Sequence, residues 1–227
     1  MSKSELDIVL VGCGGFAVEV ADYIIVSGIS GFPQIDVKPK YILSDDFKRY
    51  KDICKIFGSN PKCISDISEI ENIETLKFVI GLGDPLKRFN IAQEIKSAGG
   101  SLTSVIHRSA HISKSVQIGK GSIVAPFCVL SPFSKLGINC VLNTKSTIGH
   151  DSQIGNHVVI SPHSVINGGV MCGDVTLVSA GCVVDPGTQI GKYCKLASGA
   201  ILKQNIPDGS LVVGNPAKGR QMFKVPG

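Results

Sequence analysis

Read from Ile106, every sixth residue is apolar, in an unbroken series from Ile112, Ile118 and Val124 through Cys172 to Leu196 and Leu202. The fourth residue after each is small or β-branched, as at Ser122, Cys128, Cys140, Ser146, Cys182 and Cys194. A period of six is neither the 3.6 of a helix nor the 2 of a long strand. It predicts short parallel strands separated by tight turns, three of them closing a triangular coil of about 18 residues. The aliphatic side chain fills the coil and the small residue fits a cramped corner. The residue after the aliphatic is often Gly, as at Gly119, Gly137, Gly149 and Gly155, and is expected to relieve strain where the chain turns. Stacked coils pair each other's backbone groups, so open edges remain only at the two ends. The pattern stops after Leu202, where Pro207 and Gly209 mark turns. The tail Gly214-Asn-Pro-Ala-Lys-Gly is expected to lie outside the β-helix proper.

The first hundred residues carry a different pattern. Asp7-Ile-Val-Leu-Val-Gly reads as a buried strand, followed by Gly12-Cys-Gly-Gly and a helical stretch from Phe16 to about Val26. Lys40-Tyr-Ile-Leu predicts a second strand, ending in Ser44-Asp45-Asp46, and Leu76-Lys-Phe-Val-Ile-Gly a third. Asp84 and Pro85 open a helix near Leu86–Ala98, closed by Gly99 and Gly100. Strand, helix, strand, strand, helix implies a small, mainly parallel, Rossmann-like sheet. The expected division is an α/β domain over residues 1–105 and a left-handed parallel β-helix with its tail over 106–227. A Gly-rich turn between strand and helix lets backbone N–H groups approach a phosphate or ribose. So short a domain fits a mononucleotide or sugar nucleotide better than NAD. Gly12, Gly14, Gly15, Asp45 and Asp46 are the candidate binding residues.

Composition narrows the partners. A net charge of +5 in 227 residues, with no Lys/Arg block, argues against nucleic acid. A mildly basic surface suits an anionic substrate. The N-terminus lacks a signal-peptide layout and no apolar run reaches membrane-spanning length, so a cytoplasmic location without membrane insertion is expected. None of the eight cysteines forms a C-x-x-C pair. Cys128, Cys140, Cys182 and Cys194 fall on the small corner positions and Cys172 in the aliphatic series, so a structural metal is not expected.

Taken in order, Gly12-x-Gly-Gly-Phe-x-x-Glu19, Asp45-Asp46, Ile106-His-x-Ser-Ala, the hexapeptide repeat, Gly149-His150-Asp151 and Gly214-Asn-Pro-Ala-Lys218 resemble bacterial sugar acetyltransferases of the hexapeptide-repeat family. The resemblance spans nearly the whole chain. It lies with sialic acid O-acetyltransferases and UDP-amino-sugar N-acetyltransferases. It implies acetyl-CoA as co-substrate, a homotrimer with sites between neighbouring β-helices, and coenzyme contacts from Gly168 and from Gly214, Asn215, Pro216, Ala217 and Lys218. It also implies His150 as general base with Asp151 beside it. The chemistry agrees: an attacking amine or hydroxyl must lose a proton, imidazole exchanges protons near neutrality, and a carboxylate can orient the ring. Relatives place a backbone N–H one coil away against the thioester oxygen, which is Gly168 here. Many N-acetyltransferase relatives carry a second His where this chain has Val159, so His163 is the candidate substrate contact instead. His157 is expected at the surface, and His107 and His111 in structural roles.

The leading expectation is acetyl transfer to the amino group of a nucleotide-linked amino sugar by direct attack. The alternative is O-acetylation of a sialic-acid-like hydroxyl. A γ-type carbonic anhydrase would need convergent His ligands, and a pure scaffold would bind no coenzyme A.

Overall fold

The computed structural model describes residues 5–30 and 36–225. Met1–Ser4, on which the expectation about a leader rests, lie outside the described residues. The first strand, β1 (Glu5–Val11), runs into α1 (Gly15–Ser27), then β2 (Asp36–Leu43), α2 (Tyr50–Phe57), β3 (Lys62–Ile64), β4 (Lys77–Ile80), α3 (Pro85–Ser97) and β5 (Ser101–Leu102). The strands form one parallel sheet in the order β3-β2-β1-β4-β5. β1 is buried on both faces, as a parallel strand under helices must be. Ile8 and Leu10 face α1 and α2, while Val9 and Val11 share the other core with Ile80 and Ile95. Asp84 caps α3 by accepting from Lys87 N–H at 2.9 Å, and Pro85 starts the helix.

Three elements of the α/β part, α2, β3 and the two-residue β5, were absent from the sequence reading. In α2, Ile53 is fully buried and Ile56 and Phe57 pack against the same core. Gly58 ends the helix in the left-handed conformation, with φ 63°. β3 has only three residues, too few to show alternation.

From β6 (Val105–Ile106) to β22 (Ile201–Leu202) the chain forms two-residue strands that stack parallel in three sheets, a left-handed β-helix. Val129 pairs with Thr147 and Thr147 with Val165, one 18-residue coil at a time. The predicted aliphatic column fills the interior, with Leu130, Leu142, Ile148, Ile160 and Leu196 fully buried. The three outer faces differ. The first presents Val105, Ile123, Val141 and Val159, all buried under the α/β part. The second presents Val129, Thr147, Val165, Val183 and Ile201, and the third Gln117, Lys135, Gln153, Met171 and Gln189. Polar chains keep the third face in water, and among the described residues nothing covers the largely apolar column on the second.

The role expected of the glycines is corrected. The left-handed corners fall on other residues, among them Phe133, Asn139, Asp151, His157 and His163, with φ between 54° and 62°. Each such residue costs about 1–2 kcal/mol, offset by regular inter-coil bonds such as Asp151 N–H to Pro132 O at 3.1 Å. Gly137 and Gly149 serve close approach instead. A Cβ there would stand 2.4 Å from Gly155 O and from Gly168 N of the next coil.

The tail is corrected in part. Past Leu202 the chain adds one more parallel rung, β23 (Ser210–Gly214), to the first face. It then reverses as β24 (Ala217–Gln221), pairing antiparallel with β23. This hairpin covers the edge that the last coil would leave open.

Candidate active site

His150 and Asp151 sit at the corner between the second and third faces. Consecutive residues on a straight strand would point apart. Here Asp151 takes φ 59°, which turns its carboxylate back to the ring. His150 Nδ1 lies 2.7 Å from Asp151 Oδ2. With Nδ1–H donating to the carboxylate, the Nε2 lone pair is left free. Both side chains are open, at 70% and 63% exposure.

One coil further on lies Gly168. A Cβ built there would meet His150 Nε2 at 2.6 Å and Cε1 at 2.7 Å, so the imidazole rests directly on the glycine backbone. Gly169 N–H donates to His150 O at 2.8 Å and Gly187 N–H to Gly168 O at 2.9 Å. Among the described residues, the Gly168 N–H meets no acceptor. A shallow groove of about 320 Å³ opens here, lined by Ser131, Thr147, Gly149, His150, Asn167, Gly168 and Pro186. An imidazole base and an unoccupied backbone donor thus face one groove.

The second cavity, of about 500 Å³, lies at the carboxyl ends of the parallel strands, where ligands of open α/β sheets bind. Gly12, Asp45, Asp46, Ser65, Lys87, Asn90 and Glu94 are among its walls. Gly12 has φ +99°, and a Cβ there would stand 2.8 Å from Leu82 Cδ2, so glycine is a backbone requirement. Gly14 and Gly15 are exposed at the start of α1 and do not line the cavity. A Cβ on either would meet nothing within 4 Å. Asp46 is held by Lys48, whose ammonium lies 3.1 Å away and whose backbone N–H also donates to it. The Lys48 contacts hold its carboxyl below the usual range.

Other sequence-predicted residues lie elsewhere. His163 is exposed two corners further along the chain, between the first and second faces, and does not line the His150 groove. The turn Gly214–Lys218 lies at the end of the first face. Within one chain it is not brought to His150, and only Ala217 of the five is buried. His157 corrects the sequence expectation: it is buried rather than at the surface, with Nδ1 3.0 Å from Asn139 Nδ2 and its ring edge-on to Phe89. Burial and the nearby Arg88 lower its pKa, which agrees with a neutral ring accepting at Nδ1. Among the described residues, no group of three or more His, Cys, Asp or Glu is placed to hold a metal ion. Among the described residues, no helix is long and apolar enough to cross a membrane.

The whole chain is similar to solved bacterial enzymes. Perosamine N-acetyltransferase from Caulobacter crescentus, solved with CoA and GDP-perosamine, shares 24% identity at a TM-score of 0.82, over 97% of this chain and 98% of that one. The acetyltransferase domain of PglB from Neisseria gonorrhoeae FA1090 shares 25% at 0.80, over 94% and 99%. WeeI from Acinetobacter baumannii AYE shares 21% at 0.73, over 96% and 100%. These likenesses carry the fold in both of its parts. Residues 133–168, the segment holding His150, Asp151 and Gly168, match the family described as bacterial transferase hexapeptide (six repeats).

Proposed function

We propose that this chain transfers acetyl from acetyl-CoA to the amino group of a nucleotide-linked amino sugar. The observation that carries the reading is the groove where His150, oriented by Asp151, lies over the free N–H of Gly168. The acceptor nitrogen attacks the thioester carbon, and His150 Nε2 takes its proton. Charge gathers on the thioester oxygen, where Gly168 N–H donates. The intermediate collapses by breaking the C–S bond, and the proton held by His150 passes to the leaving sulfur. The larger cavity at Gly12, Asp45 and Asp46 takes the nucleotide end of the acceptor, with the open α1 N-terminus at Gly14 and Gly15 toward its phosphates. The similar Caulobacter crescentus perosamine N-acetyltransferase is in complex with CoA and GDP-perosamine, and the PglB acetyltransferase domain with acetyl coenzyme A, which favours an amine acceptor over the hydroxyl alternative.

The working unit is a homotrimer, in which a neighbouring copy closes the open side of the groove and brings His163 and Gly214, Asn215, Pro216, Ala217 and Lys218 toward substrate and coenzyme. The location is cytoplasmic, where acetyl-CoA and nucleotide sugars are available. Thiol release from acetyl-CoA, measured against UDP-, GDP- and dTDP-amino sugars and free sialic acids, tests the acceptor class. Turnover only with free sialic acids would overturn the amine assignment. His150→Ala should lower kcat by about 100- to 10,000-fold while coenzyme A still binds. Near wild-type kcat in that variant would remove His150 from its role.

A further inference from the structure

Arg88 lies on α3 and is fully buried, and among the described residues no carboxylate is its partner. All five of its N–H groups are matched by oxygen acceptors. Nη1 donates to Ile80 O and, at 3.0 Å, to Leu82 O. Nε donates to Asn139 O at 3.0 Å, and Nη2 to Asn139 Oδ1 and, at 3.4 Å, to Gly121 O. These acceptors belong to two different parts. Ile80 and Leu82 end β4, and Leu82 is a wall of the larger cavity. Gly121 and Asn139 are stacked corners of the β-helix, both with left-handed φ. Asn139 answers with its own amide, donating to Arg88 O at 2.9 Å and to His157 Nδ1. Phe89, the next residue of α3, packs edge-on against His157. The same helix offers Lys87, Asn90, Ile91 and Glu94 to the cavity.

We infer that Arg88 and Asn139 form a positioning brace that fixes the acceptor cavity against the β-helix bearing the base, so that the sugar amine is delivered to the thioester at reacting distance. The inference rests on the acetyl-transfer reading, because it assigns a purpose to a distance between two sites. Planarity is what a guanidinium contributes: it fans five donors toward both parts at once, which an ammonium cannot do. Misplacing a bound acceptor by a fraction of an ångström lowers kcat, because near-attack geometry supplies a large share of the rate. Coenzyme affinity, which belongs to the β-helix, stays unchanged.

The test uses the full-length chain with Arg88→Lys, Asn139→Ala and the double variant, each first checked for a cooperative melt and wild-type mass. Each single variant should lower kcat tenfold or more at temperatures well below its melt, with coenzyme A affinity within twofold of wild type. The double variant should lose little beyond the worse single, since both cut one network. Folded single variants with kcat within twofold of wild type would overturn the brace, as would full additivity in the double. Hydrogen exchange supplies an arm independent of catalysis. In Arg88→Lys the amides around Ile80–Leu82 and around Gly121 and Asn139 should exchange faster together, with the distal coils unchanged. Unaltered exchange at both places overturns the brace. A wild-type chain that releases no thiol with any acceptor would instead overturn the acetyl-transfer reading, and the exchange arm would then decide on the brace alone.

Discussion

A methyl group on Gly168 would land against the ring of His150, 2.6 Å from Nε2. The ring is 70% exposed, so Gly168→Ala is expected to displace the base rather than the coil. Its kcat should fall on the order of 100-fold with the melting temperature within a few degrees; stopped assays and calorimetry on one preparation would check this, and unchanged kcat would separate Gly168 from the chemistry. Gly12 and Gly14 differ in the same physical way. Gly12→Ala meets a forbidden φ and the Leu82 side chain, costing about 1–3 kcal/mol of stability. Gly14→Val enters open space, so it should fold normally and raise the acceptor KM about tenfold or more, leaving that for acetyl-CoA unchanged. Equal effects on both substrates would reduce Gly14 to a structural turn. His150, Asp151, Gly168 and Gly12 were legible because each belongs to a local motif or stands one repeat from one. Arg88 was not. In Pro85-Leu-Lys-Arg-Phe-Asn it reads as a solvated helix residue beside Lys87, and only the docking of α3 on the coil buries it. His157 was misread for the same reason.

At the scale of the coil, the small-residue column does more than fit a corner. Ser152 Oγ donates to Asn167 O at 2.8 Å and accepts from Val170 N–H at 3.2 Å. Ser122, Ser146 and Ser164 likewise donate across to the next coil. Cysteine fills the same slot, with Cys140 Sγ 3.0 Å from Gly155 O and Cys182 Sγ 3.1 Å from Ala197 O. Burial raises the Cys140 thiol to about 12, so it stays protonated as a donor. Ser152→Val should therefore cost about 1–3 kcal/mol, since it leaves a buried carbonyl and N–H without partners. Ser152→Cys should cost less than about 1 kcal/mol, because the column already accepts cysteine. Chemical denaturation of both variants checks the order, and equal losses would mean that size alone governs the column. The period of six revealed the column without its bonding, since Ser, Cys, Thr, Ala and Val all satisfy a small-residue pattern. α2 was missed because Asp46–Lys55 is rich in charge and its buried side is marked by no more than Tyr50, Ile53, Ile56 and Phe57.

At the scale of the whole molecule, the chain leaves one surface unfinished. Phe127 and Phe133 are 62% and 67% exposed on the two corners flanking the second face, and Val129 between them is 36% exposed. Val165, Val183 and Ile201 continue that apolar strip along the coils. A partly exposed, largely apolar strip of this kind marks an interaction surface. Phe133 stands one coil before Asp151 in the same corner column, so a partner seated on it would also cover the catalytic groove. That cover matters for the chemistry. A hydrogen bond open to water competes with solvent and orients the ring weakly, and a backbone donor stabilises an oxyanion far better once water is excluded. The trimer is therefore expected to be a condition of activity, its contact running along the second face. Light scattering should give three times the 23.9 kDa chain mass. Phe133→Glu places a charge in the contact, so it should shift the mass toward one chain and lower kcat in step, with the melt of the β-helix retained. Raising the concentration of that variant should recover mass and turnover together. A stable monomer of the wild-type chain with full turnover would reject the assembly, and a trimeric Phe133→Glu variant with normal kcat would move the contact to another face.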